Sequence, residues 1–206
     1  MTQLNQNSTL RDLSIYLSAN GNEFILEKML ASDYKSFVRA LYGAIDKATL
    51  QLEGNTKHRS EDSEDRTTIE LCTALEMAGY SAKHDIQTGG HVDITVVSGK
   101  FSWLGEAKIF NAVTEMRSGY QQLTHRYANG APDQAAGGML AYIKRANASK
   151  HMATWRKVVE DEFKVTTLDC ADRPGLAFYS ESASPSSGLT YCVRHMAVML
   201  HYAPIV

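Results

Sequence analysis

The sequence predicts an α/β fold: one mixed sheet flanked by helices, with an N-terminal helical extension and C-terminal strands. Three observations predict it. The middle of the chain runs helix, three strands, helix, strand, and such runs build a mixed sheet with helices on its faces. The 206 residues are 44% hydrophobic and 21% charged, close to the soluble globular average. A Ser98-Gly99-Lys100-Phe101 turn joins two β-rich runs, and glycine at the first central position suits a two-residue type II′ hairpin.

Taken in order, residues 1–8 are polar and frayed, and 9–19 and 22–52 read as helices broken at Gly21-Asn22. In the second, Phe37, Leu41 and Ile45 recur every four residues. These helices make an extension over 1–56, and 57–206 is the core. Residues 53–63 are a polar loop. A helix covers 64–78, with Gly79 as its C-terminal stop. Strands follow at 81–86, at 91–97 after a Gln-Thr-Gly-Gly turn, and at 101–109. A helix spans 113–128, the apolar run Gly137–Ile143 is a buried strand, and 148–163 is a helix. Strands at 164–168, 175–181 and 190–202 complete the map.

Composition narrows the function. No run approaches the roughly 18 apolar residues of a membrane span, and the polar start carries no secretory signal. Cys72, Cys170 and Cys192 are scattered and unpaired in sequence, the pattern of reduced thiols in a cytoplasmic protein. Neither a phosphate-binding glycine loop nor a Gly-x-Ser-x-Gly elbow is present, which excludes a motor NTPase and a serine hydrolase of those kinds. Charge is polarised. Between Arg117 and Lys157, seven Lys/Arg face one acid, Asp133, a balance of +6 that leaves −8 on the rest of a chain of net charge −2. Such a segment is either a footprint for phosphate or an ordinary solvated face.

The hairpin carries the chemistry. A two-residue turn at Gly99-Lys100 pairs residues whose numbers sum to 199, setting Asp93 opposite Glu106 and His91 opposite Lys108. Opposed residues share a face, and strand side chains alternate with period two. Asp93, Glu106 and Lys108 therefore converge on one face, with Trp103 on the other. Two adjacent carboxylates repel, and carboxylate oxygens are what Mg²⁺ and Mn²⁺ favour. The alternative is an exposed Asp–Glu pair neutralised by a lysine.

Asp93, twelve intervening residues, then Glu106-Ala107-Lys108 resembles the signature of the restriction-endonuclease-like, or PD-(D/E)xK, nuclease superfamily. Val92 stands where that signature has proline. The resemblance runs from about Glu61 to Ile143 and implies an α-β-β-β-α-β core. It implies that Asp93 and Glu106, with the carbonyl of Ala107, hold Mg²⁺ or Mn²⁺, and that Lys108 positions water or stabilises the transition state. The family often adds an acid from the preceding helix. At about 100° per residue, Glu64 falls on the inward face with Thr68, Cys72 and Leu75, Glu61 is the fallback, and Glu70 points away. Gln122 resembles a glutamine the family brings toward the site. Tyr127 follows it by five residues, on another side of an ideal α-helix, and is assigned to the core. Arg126 shares a face with Gln122 at i, i+4. Arg126, Lys144, Arg145, Lys150, Arg156 and Lys157 are the candidate nucleic-acid contacts. His195 and His201 have no spaced carboxylate and are read as structural.

The expectation is a metal-dependent endonuclease acting on duplex DNA in the cytoplasm, in a setting such as antiviral defence or DNA repair. Cutting two strands takes two sites, so the resemblance also implies a homodimer. The alternative is a nuclease-fold protein without activity that binds nucleic acid or serves as a scaffold.

Overall fold

The computed structural model describes residues 7–87 and 91–203. Three helices come first, α1 (Leu10–Ala19), α2 (Glu23–Leu30) and α3 (Tyr34–Glu53), then a 3₁₀ turn and α4 (Glu64–Met77). Next are β1 (Ser81–Gln87), β2 (His91–Ser98), β3 (Phe101–Ile109), α5 (Val113–Gln121), a π-helical turn (Gln122–Tyr127), β4 (Ala136–Ile143) and α6 (Ala148–Phe163). The chain closes with β5 (Thr166–Asp169), β6 (Ala177–Ala183) and β7 (Thr190–Met199). The expected order of helix, three strands, helix, strand is present.

Local chemistry sets the boundaries. The expected helix over 22–52 is two helices, because Asp33 caps a new one: its carboxylate accepts from the Ser36 N–H at 2.7 Å. Ser63 caps α4, accepting from the Arg66 N–H. Gly79 ends that helix with a positive φ of 84°. The Tyr80 N–H bonds the Leu75 carbonyl and the Gly79 N–H that of Glu76, the paired bonds of a Schellman cap. The expected helix over 113–128 is α-helical only to Gln121. Its last turn is π-wound, with the Ala128 N–H reaching back five residues to the Leu123 carbonyl.

The seven strands lie in the order β1-β2-β3-β4-β7-β6-β5. β3, β4 and β7 run parallel and the other neighbours antiparallel. One face carries Ile94, Val96, Trp103, Leu140 and Met196 against Phe37, Leu41 and Ile45 of α3 and Leu71 and Leu75 of α4. The other carries Leu104, Met139, Ile143 and Val193 against Met116 and Tyr120 of α5 and Trp155 and Val159 of α6. The result is a sheet between two helical layers, and α3 is one wall of the core. The segment read as an extension thus shares a core with residues beyond 56. No helix among the described residues is long and apolar enough to cross a membrane.

His195 sits wholly inside the second layer, stacked on Phe178 at 4.3 Å. Trp155 Nε1–H donates to its Nδ1 at 2.9 Å, so Nε2 carries the proton toward Ser180 Oγ, also at 2.9 Å. Burial holds its pKa down at about 3, against an ordinary 6.5. Below pH 6.5 the unfolded chain takes up a proton that the folded chain refuses, so this part of the stability is full above pH 6.5 and lost toward pH 3. Between pH 7 and 5 the loss is about 2 kcal/mol. Urea denaturation of the wild type against His195→Asn at both pH values measures it, and an identical pH dependence in the two proteins refutes it.

Candidate metal and catalytic site

The β2–β3 hairpin has the expected register. Ser98↔Phe101 through Ile94↔Gly105 all pair with numbers summing to 199, and Gly99 has φ 59°. The ladder stops at Ile94↔Gly105, so the expected direct pairing of Asp93 with Glu106 is not formed. The Asp93 side chain takes the place of the next rung, its Oδ2 accepting from the Ala107 N–H at 2.9 Å. The N–H and C=O of one strand residue point to the same side, so the Ala107 carbonyl also faces β2. The expected pairing of His91 with Lys108 lies beyond the end of this ladder, and the His91 side chain lies outside the described residues.

Lys108 gathers the charges. Its Nζ is 2.8 Å from Glu106 Oε1, 3.1 Å from Asp93 Oδ2 and 3.2 Å from Glu64 Oε1. Glu64 is the first residue of α4, and its other oxygen accepts from the Ile109 N–H at 2.8 Å. The inward face read from the helix angle therefore delivers Glu64 to the hairpin. The fallback Glu61 is exposed before the helix begins, and Glu70 pairs with Arg59 instead. Trp103 packs on the opposite face, edge-on to Tyr42 at 6.3 Å.

Glu106 is 1% exposed, and its Oε2 is buried with no hydrogen-bond partner. Burial, then the charge of Asp93, raises its pKa to about 7 against the opposing pull of Lys108. For Lys108, burial is the largest single influence and acts to lower the pKa. The attraction of Glu106, Asp93 and Glu64 together overrides it, and the ammonium titrates above the ordinary lysine value.

These groups fit a hard divalent cation. The Glu106 Oε2 has no hydrogen-bond partner, and among the described residues the Ala107 N–H and the Lys108 ammonium both bond Asp93 through Oδ2. Among the described residues no group of three or more His, Cys, Asp or Glu is arranged to hold a metal. Mg²⁺ asks for less, being commonly held by one or two carboxylates with waters completing the shell.

Above the site, Gly119 of α5 lies so close that a Cβ there would stand 3.1 Å from Glu106 Cγ, 3.1 Å from Lys108 Cγ and 2.7 Å from Met139 Cε. Sequence reasoning missed this residue, although a glycine inside a helix costs enough to signal a packing need. Gln122, half-buried, begins the π-wound turn three residues later. That winding stacks i over i+5, so Tyr127 follows Gln122 on one side of the turn, where an α-helix would separate them. Tyr127 is buried, as expected, and its phenol pKa is raised by burial and then by the charge of Glu106. Arg126 is exposed, beside the Tyr127 hydroxyl.

The basic segment divides. Lys144 donates to the carbonyls of Ser60 (3.0 Å) and Asp62, closing the loop before α4. Arg156 is tied to Glu160, Thr167 and Asp169. The task of Lys144 is not announced by its sequence neighbours, whereas Arg156 has an i, i+4 partner, Glu160, on its own helix. Arg145, Lys150 and Lys157 are exposed. Arg145 lies just past the end of β4, the end where Ala141 pairs with Lys108. No protein-family model, curated protein or solved structure matches this chain.

Proposed function

We propose that the chain is a metal-dependent nuclease that hydrolyses phosphodiester bonds of DNA, with Mg²⁺ or Mn²⁺ held by Asp93 and Glu106. The observation that carries this reading is the buried, unpartnered Glu106 oxygen beside Asp93 and Lys108. The Ala107 carbonyl, on the Asp93 side of its strand, is the third candidate ligand. The bound cation would neutralise phosphate charge and acidify a water. Lys108 supplies the positive charge that the chain itself brings to the reacting phosphate, set by Glu64 so that the ammonium stays over the two metal-binding carboxylates. A nuclease-fold protein without activity would lack the metal affinity. Titration calorimetry with Mn²⁺, alongside cleavage of duplex DNA, single strands, RNA and branched junctions, separates the two; absent metal binding overturns the reading.

Substrate contact falls to Arg145, Lys150 and Lys157, with Arg126 nearer the site. Each phosphate contact contributes about 0.9 to the slope of log K against log salt. Reversing the charge of Arg145, Lys150 and Lys157 together is expected to flatten that slope by roughly 2–3 and to leave Mn²⁺ affinity unchanged. An unchanged slope removes this face from DNA binding.

A further inference from the structure

We infer that Lys144 is a positioning residue for the hairpin site: it holds the start of α4 so that Glu64 keeps Lys108 in place. Its effect on rate rests on the nuclease reading, and its effect on the geometry of Glu64 does not. The sequence groups Lys144 with the candidate phosphate contacts. Its side chain is half-buried, however, and donates to two backbone carbonyls, those of Ser60 (3.0 Å) and Asp62.

Glu64 joins backbone to ammonium. The ladder between β2 and β3 stops at Ile94↔Gly105. Every second N–H of a strand points to the same side, so Ala107 and Ile109 present theirs to the stretch beyond the ladder. Carboxylates take both: the Ala107 N–H donates to Asp93 Oδ2 at 2.9 Å and the Ile109 N–H to Glu64 Oε2 at 2.8 Å. The other Glu64 oxygen accepts from Lys108 Nζ at 3.2 Å. One side chain therefore fixes the strand and the ammonium together. Yet Glu64 is the first residue of α4, and residues 59–63 before it are neither helix nor strand. A first turn frays unless the groups around it are held.

The end of β4 supplies the hold. Tyr142 pairs with Ile109, and its hydroxyl shares a hydrogen bond with Thr68 Oγ1, one turn into α4, at 2.9 Å. Lys144, just past the end of the strand, takes the carbonyls of Ser60 and Asp62. The start of the helix is thus tied to β4 both before and after Glu64. The loop is built to keep one shape. Arg59 and Asp62 are each 7% exposed and pair at 3.4 Å. Arg59 forks onto Glu70, and Arg66 reaches Asp62 at 3.2 Å. A buried ion pair adds little stability over an apolar one, and its best-attested use is to fix one conformation. The conformation fixed here starts α4 at the Ser63 cap and sets Glu64 over β3. Lys144 locks that loop to the sheet.

The test is a double-mutant cycle between Lys144 and Glu64, with hydrogen exchange of two backbone amides as a readout that needs no cleavage. In the metal-free full chain, Lys144→Met is expected to speed exchange of the Ile109 amide by about tenfold or more, as Glu64→Ala does. The Ala107 amide, held by Asp93, should exchange as in the wild type. In single-turnover cleavage with Mg²⁺, Lys144→Met should slow the chemical step about tenfold, with DNA affinity and its salt slope unchanged. Added to Glu64→Ala, it should cost less than about twofold more. Lys144→Arg, which can still donate to both carbonyls, should recover most of the rate. An unchanged Ile109 amide in Lys144→Met overturns the proposal, and so does equal loss of protection at Ala107, which would mean general loosening. Additive losses in the cycle overturn it too. So does weakened DNA affinity with a flatter salt slope, which returns Lys144 to the substrate contacts. A wild type that cleaves no nucleic acid overturns the nuclease reading alone, and the two amides then decide the place of Lys144.

Discussion

Glu106→Gln is expected to eliminate cleavage and to make the metal-free protein more stable at pH 8. Both effects come from one buried carboxyl. With a folded-state pKa of about 7 against an ordinary 4.5, the group contributes stability below pH 4.5 that is lost as the pH rises through 7. Above that, the folded protein carries an ionised carboxylate with one oxygen unpartnered, at a cost of about 3 kcal/mol. Glutamine removes the charge and keeps a carbonyl for Lys108, which still has Asp93 and Glu64. A gain of roughly 1–3 kcal/mol at pH 8 follows, shrinking to nothing near pH 4.5. This slope is opposite in sign to that of His195, so the two variants must be compared separately with the wild type. On the proposed nuclease reading, the variant loses a metal ligand, which costs several kcal/mol of transition-state stabilisation, a fall of about 10³-fold or more in rate. Urea unfolding across pH and a cleavage assay in Mg²⁺ check the two halves. Wild-type cleavage by Glu106→Gln refutes the catalytic assignment, and unchanged stability at pH 8 refutes the account of its burial.

Where short-range rules act alone, the sequence was a sufficient guide. The hairpin register follows from a two-residue turn and a period of two, and both hold from Ser98 to Ile94. Glu64 was legible because four helical residues suffice to define an inward face. The stop at Gly79 was legible because a left-handed cap needs glycine. Where a local preference competes with a distant contact, the sequence was silent. Ser32-Asp33 does interrupt the apolar pattern and is a helix-start signal, but whether it divides the helix depends on one Asp33–Ser36 pair. The π-winding appears in sequence only as an odd spacing, five residues from Gln122 to Tyr127. Lys144 looks like a free cation because its partners, the carbonyls of Ser60 and Asp62, come from another element, and the Asp169 partner of Arg156 is likewise distant, although its i, i+4 partner Glu160 is in the same helix. The end of the β2–β3 ladder at Asp93 is likewise invisible, since it depends on a side chain displacing a backbone partner.

Lys108→Met is expected to destabilise the metal-free protein and to tighten its grip on Mn²⁺. In the metal-free fold the ammonium is the cation of this site, within 3.2 Å of all three carboxylates. Two of the oxygens it holds, Glu106 Oε1 and Asp93 Oδ2, belong to the residues that would bind metal, so ammonium and metal compete for the same negative charge. Methionine fills the same length without charge and leaves three carboxylates facing one another. Removing one partner from a buried charge cluster costs on the order of 3 kcal/mol. Mn²⁺ then binds without displacing a cation, and its affinity should rise roughly tenfold, equivalent to about 1.4 kcal/mol of relieved competition. Saturating Mn²⁺ should restore most of the lost stability, because a ligand that binds only the folded state stabilises it in proportion to the logarithm of its concentration over Kd. Cleavage should remain lost, since the metal does not replace the lysine charge at the reacting phosphate. Calorimetry with Mn²⁺ and thermal unfolding with and without the metal read the two arms. If Lys108→Met binds Mn²⁺ no more tightly than the wild type, the ammonium does not contest the metal position. If the variant also unfolds at the wild-type temperature in EDTA, the three short contacts contribute nothing to the stability of the metal-free fold.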